Sequence, residues 1–127
     1  MANNYKNAKA DLTTTDATTV YTAPAATTSI VKSILVSEDS GSADTITLTI
    51  TDTDAAVLTG NTDTTKAITI TDADEAIFSL FKVKAVAANT TVELLTAPLI
   101  VEESEILKFT AATANRLHVV VSVLEMS

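Results

Sequence analysis

The chain has 127 residues, with eight basic side chains against sixteen acidic ones and a formal net charge of −8 at pH 7. That length holds one domain around one core, and the acidic balance has the wrong sign for a general nucleic-acid binder. With no Cys, and His118 as its only His, the chain has no disulfide, thiolate metal site, cysteine nucleophile or multi-histidine centre.

Hydrophobic residues make up 46% of the chain, which argues against a wholly disordered protein, while aromatics are only 4%, so the core must be aliphatic. Thr is abundant and, with Val and Ile, makes a β-branched-rich sequence suited to pleated sheets. The opening Met-Ala-Asn-Asn-Tyr-Lys-Asn lacks the apolar stretch of a secretory signal. No apolar run approaches the ~18 residues of a membrane-spanning helix. The expectation is a soluble protein or a part of a larger soluble assembly.

Residues 1–11 are polar and lack alternation, which predicts a flexible N-terminal arm. Asn3, Asn4, Tyr5, Lys6 and Lys9 are its candidate partner-binding residues, because amides donate and accept and the two ammonium groups suit an acidic surface. From Leu12 onward the pattern becomes strand-like. Strands are expected at Thr18–Ala23, Ser29–Glu38, Thr45–Thr51, Lys66–Thr71, Ala76–Ala87, Thr91–Thr96, Ile106–Ala111 and Leu117–Val123. Thr45–Thr51 is the cleanest, with Ile46, Leu48 and Ile50 on one face and Thr on the other. Along Ser29–Glu38, strict alternation sets Val31 and Leu35 opposite Ile30, Ile34 and Val36. The spacing of Ile77, Phe78, Leu80 and Phe81 also suits helical turns, but the flanking residues favour a strand.

Turn formers separate these segments at Glu38–Asp44 and Thr59–Asp63, and Pro24 and Pro98 mark strand ends. About eight strands punctuated in this way predict an all-β fold. We read a single antiparallel β-sandwich, jelly-roll-like, over residues 12–127, preceded by the arm.

Candidate chemistry is sparse. Asp52/Asp54 and Asp72/Asp74 are Asp-x-Asp pairs in two similar stretches, and four carboxylates meeting in space would suit Ca²⁺. Neither pair carries the Gly and distal Glu of an EF-hand loop, and solvated strand ends are the commoner reading. Glu102, Glu103 and Glu105 read as an exposed turn, since general acid–base work needs a desolvated carboxyl. His118 and Ser122, four residues apart on a strand, stand roughly 13 Å apart, beyond hydrogen-bond reach. The expectation is no enzyme, no catalytic residue and no cofactor.

Thr19–Pro24, Ser29–Ser37 and Thr45–Ile50, then Ala97–Val101, Ile106–Ala111 and Leu117–Glu125, form an ordered set of features. In that order they resemble the small β-sandwich virion structural proteins of tailed bacteriophages, including cyanophages. The chain departs from that pattern at Glu102–Glu105, where those proteins tend to place a Gly turn. The resemblance implies a capsid decoration (cement) protein located in the virion, assembled in the host cytoplasm and bound to the major capsid protein or other virion proteins. It also implies a homo-oligomer, with a trimer favoured, while the acidic balance and the lack of a long apolar run predict no nucleic-acid or membrane partner. A neck, tail or fibre-attachment protein is the alternative. A carbohydrate- or receptor-binding sandwich is a third reading, but it needs exposed aromatics and only Tyr5, Tyr21, Phe78, Phe81 and Phe109 are present.

Overall fold

The computed structural model describes residues 2–52 and 76–127. Among them the chain forms nine strands and no helix. These are β1 (Asn3–Asp11), β2 (Thr18–Thr22), β3 (Thr28–Glu38), β4 (Asp44–Asp52), β5 (Ala76–Val86), β6 (Thr91–Glu93), β7 (Leu99–Val101), β8 (Ile106–Ala111) and β9 (Leu117–Met126). The strand expected at Lys66–Thr71 lies outside the described residues, as does the turn expected at Thr59–Asp63.

The strands lie in two antiparallel sheets. The first has the order β1-β9-β3, with β6 and β7 end to end along the far side of β3, and the second has the order β2-β8-β4-β5. The pairing is nested. The first strand meets the last, the second meets β8, the third meets the interrupted β6/β7 strand, and the fourth meets the fifth. β9–β3 and β8–β4 contacts then join these pairs into two sheets. Such nesting is a jelly roll.

Alternation explains the core. Leu117, Val119, Val121 and Val123 of β9, with Val31, Ile34 and Val36 of β3, face Ile46, Leu48, Leu107, Phe109 and Ala111 of the second sheet, and all are buried. Burying each of the larger side chains contributes about 1.5–3 kcal/mol. Thr45, Thr47 and Thr49 stand half-buried on the outer side of β4, as the alternation predicts. Ala76–Val86 is a strand rather than helical turns.

Two expectations are corrected. Residues 3–11 are not a flexible arm but strand β1, paired along its whole length with β9 from Asn3↔Met126 to Asp11↔His118. Its polar composition concealed it because β1 is an edge strand and only Ala8 and Ala10 pack against the core. The face assignment along β3 is also wrong at its start. Lys32 is an extra residue where the β3–β9 register shifts between Val31 and Ser33. The bulge reverses the alternation, so Ser29 and Val31 join Ile34 and Val36 inside, while Ile30 and Leu35 both point outward. The strand β7 was not anticipated, and the segment expected at Thr91–Thr96 forms a strand only to Glu93.

A second bulge lies in β5, where Ile46 pairs with Lys84 and Leu48 with Phe81, leaving Lys82 and Val83 opposite Thr47. Val83 takes φ +54° and donates its N–H to Thr47 Oγ1 at 3.1 Å. Left-handed backbone costs an L-residue about 1–2 kcal/mol, against about 0.5–1 kcal/mol for the extra chain entropy of Gly. Because the Val83 side chain is exposed, Val83→Gly should raise the melting temperature by a few degrees. A fall on thermal denaturation would show that the isopropyl group makes contacts worth more than the backbone relief.

Removing residues 1–11 strips β9 of one of its two neighbours and removes Lys6 from the buried Glu125. The truncated chain should lose its cooperative thermal transition, because the loss takes a large share of a typical domain stability of about 5–15 kcal/mol. Melting within a few degrees of the full chain would show β1 to be dispensable.

Candidate interaction surface

The structure places the expected site residues in different roles. Asp52 ends β4 opposite Ala76, whereas Asp54, Asp72 and Asp74 lie outside the described residues. Among the described residues no three His, Asp or Glu side chains are grouped to hold a metal ion. Glu102, Glu103 and Glu105 form a turn, as read from sequence, and two of them bond backbone: Glu105 accepts from the Glu102 N–H and Glu103 from the Ala26 N–H. Of the aromatics, Tyr21 and Phe109 are buried, while the exposed Tyr5 and Phe78 stand on different sheets and give a sugar ring no shared platform.

Three carboxylates that sequence reasoning did not single out serve the fold. Glu38, at the end of β3, is 2% exposed. It accepts hydrogen bonds from the Ser40 hydroxyl and from the N–H groups of Ser40 (2.8 Å), Gly41 (3.2 Å) and Asn89 (2.9 Å). The Ser40 hydroxyl bond above all, aided by the backbone bonds and opposed by burial, holds its carboxyl down to about 2. One side chain thus fixes both the β3–β4 and the β5–β6 connections. The sequence signal was Glu38-Asp39-Ser40-Gly41, an acceptor just before a turn whose N–H groups need partners; Gly41 takes φ +85° there.

Glu93 does similar work at the split between β6 and β7. It accepts from the Ser33 hydroxyl, from the Ile34 N–H at 2.7 Å and from the Leu95 N–H at 3.2 Å. The carboxylate therefore stands in for the backbone carbonyl that β3 lacks where β6 turns away. Burial pushes against the charge there, but these bonds outweigh it and keep the carboxyl below its ordinary range.

Glu125 ties the sheets together. Tyr21 of β2 donates to Glu125 Oε2 at 2.6 Å, and Ser29 Oγ of β3 lies 2.6 Å from the same phenol oxygen. A phenol has one proton, so Ser29 is the donor in that second bond. Lys6 Nζ of β1 lies 2.8 Å from Glu125 Oε1. Burial first, then the Glu125 bond, pushes the Tyr21 phenol up to about 12. On Glu125 burial opposes ionisation, but the Lys6 and Tyr21 bonds prevail and hold its carboxyl below its ordinary range.

Besides the exposed Ile77, Phe78, Leu80 and Val83 of β5, apolar surface is open to a partner on the outward face of the first sheet. Cross-strand register arranges its side chains in rows. One row reads Tyr5, Leu124, Ile30, Ile100 from β1 to β7, apolar on every strand. Beyond it come Asn7, Ser122 and Ser33 beside the bulged Lys32, then Lys9, Val120, Leu35 and Glu93. The end row holds Asp11, His118 and Ser37, with His118 Nε2 3.3 Å from Asp11 Oδ1 and its Nδ1 3.5 Å from Asp39 Oδ2. Of the five residues first assigned to an arm, Tyr5 and Lys9 belong to these rows, Asn3 lies beside Met126, and Lys6 points inward to Glu125. Asn4, at the exposed start of β1, pairs with Glu125 in register.

Compared with family models, curated proteins and solved structures, the chain matches none of the three.

Because Glu38 is held down to about 2 in the folded protein, its ionisation stabilises the fold above its ordinary value of 4.5 and ceases to do so as pH falls towards 2. Glu38→Gln should therefore melt below the parent at pH 7, and the gap should narrow as pH drops through that window. Parallel melting curves at every pH would remove Glu38 from this role.

Proposed function

We propose that this chain is a non-enzymatic structural protein of a phage virion, and specifically a capsid decoration protein that binds and stabilises the head shell. The outward face of the first sheet carries the reading. It is a broad surface of apolar and hydroxyl side chains whose charges, Lys9 and Lys32 against Asp11 and Glu93, cancel on a chain of net charge −8. A face of that kind suits adhesion to another protein surface better than capture of a small molecule. The jelly roll supports the class, since capsid, lectin and cupin domains share it, although a fold does not choose among functions. The bonds of the buried Glu38 and Glu125 and the exposed Glu93 to groups within the fold support an architectural use of these acids.

The test mixes the purified chain with isolated phage heads that lack it. Saturable co-sedimentation and a higher disruption temperature of the heads are expected. Retention by isolated necks or tails alone would assign the protein there instead. Failure to bind any part of the particle would overturn the virion reading.

A further inference from the structure

We infer that the outward face of the first sheet binds the same face of a second copy, giving a two-fold dimer with the axis parallel to the strands and between β9 and β3. The inference takes the interaction surface from the proposed function and names its occupant. Rotation about such an axis keeps each row at its height and reverses its order across the sheet. Tyr5 then lies over Ile100 of the second copy, and Leu124 over Ile30. Two rows further on, Val120 meets Leu35, and Lys9 meets Glu93.

Self-complementarity is what singles out a second copy. The rows hold apolar groups where the two-fold needs apolar partners, and they hold opposite charges at opposite margins. Lys9 stands on the β1 side and Glu93 on the β6 side, so one rotation forms two Lys–Glu pairs and opposes no two like charges in that row. The middle row brings Ser122 against Ser33, a pair able to exchange hydrogen bonds. On a chain of net charge −8, a face whose charges balance lowers the electrostatic cost of bringing two copies together there.

Area permits it. Four strands at about 4.8 Å spacing and nine residues at about 3.4 Å give a face of roughly 600 Å² per copy. Two such faces bury roughly 1,200 Å², the lower bound of specific interfaces at about 1,200–2,000 Å². Aligned sheets pack with their strands within about 30° of each other, so the natural twist accommodates the pairing. The outermost members, Tyr5 at 72% and Ile100 at 51% exposure, have the most surface to cover. A trimer, which the resemblance implies, needs each copy to offer two different surfaces, whereas this face complements itself.

Sedimentation equilibrium of the full chain should give a mass of two copies. Ile100→Lys and Leu35→Lys each alter an exposed side chain, and should raise the dissociation constant at least tenfold while the circular dichroism spectrum and cooperative melting persist. Because the chain has no cysteine, and facing sheets stand about 10 Å apart, too far for a disulfide, Tyr5→Cys/Ile100→Cys should be joined into a covalent two-copy species between positions 5 and 100 by a bis-maleimide of about that length. A single-copy or three-copy mass, or a dimer indifferent to both lysine variants and lacking the 5–100 link, would overturn the inference. A dimer through this face leaves head binding to another surface, and a single-copy mass leaves the face free for the head, so co-sedimentation with heads is read separately and the two readings fail separately.

Discussion

Everything in this fold depends on β9 having a strand on both sides. Its ten residues pair with β1 along one edge and with β3 along the other, while its inward side chains Leu117, Val119, Val121 and Val123 fill one wall of the core. A buried strand cannot leave its N–H and C=O groups unpaired, because each orphan costs roughly 1–3 kcal/mol. The last segment of the chain therefore needs the first, and nested pairing of β2 with β8 and β3 with β6/β7 follows from bringing the ends together. The buried polar cluster reinforces this closure. Lys6 of β1 and Tyr21 of β2 bond the same Glu125 carboxylate, which joins both sheets at one end of the sandwich.

Where one face of a strand is apolar and the other polar, the sequence reads plainly. β8 and β9 alternate cleanly and β4 does so up to Ile50, after which Thr51, expected on the outer face, is buried; the boundaries are recovered to within a few residues. β1 is not legible in this way. An edge strand that lends only two alanines to the core has almost no hydrophobic period, and Asn and Lys suggest an arm even though the backbone is fully engaged. Its necessity was legible only from topology: a jelly roll requires a partner for the last strand. The division of one strand position into β6 and β7 was hidden because three residues are too few to display an alternation of period two.

The candidate surface was half legible. The sequence predicts a partner-binding arm; of its residues the structure places Tyr5 and Lys9 on the outward face and Lys6 against Glu125. What no pattern of alternation shows is that Glu38, Glu93 and Glu125 are engaged internally, because a carboxylate that caps a loop looks in sequence like any exposed acid. The excess of acidic residues suggests a charged exterior. Three of them instead substitute for backbone carbonyls or bridge the sheets, and each stays ionised because the donors around it outweigh its burial.

The bulge at Lys32 links the interior to that surface. Without an extra residue, the alternation that buries Ile34, Val36 and Glu38 would also bury Ile30 and turn Ser29 and Val31 outward. With it, Val31 enters the core, Ser29 reaches the Tyr21 phenol, and Ile30 completes the apolar row from Tyr5 to Ile100. Glu93 holds the strand in this form by bonding Ser33 and the Ile34 N–H immediately beyond the bulge. That grip also occupies the place where a continuous β6/β7 strand would pair, so the bulge and the split strand are two sides of one arrangement. A single inserted residue thereby sets both the polar contact that joins the sheets and the apolar row on the outward face. Replacing Glu93 would release both, whereas replacing Ile100 alters the surface alone.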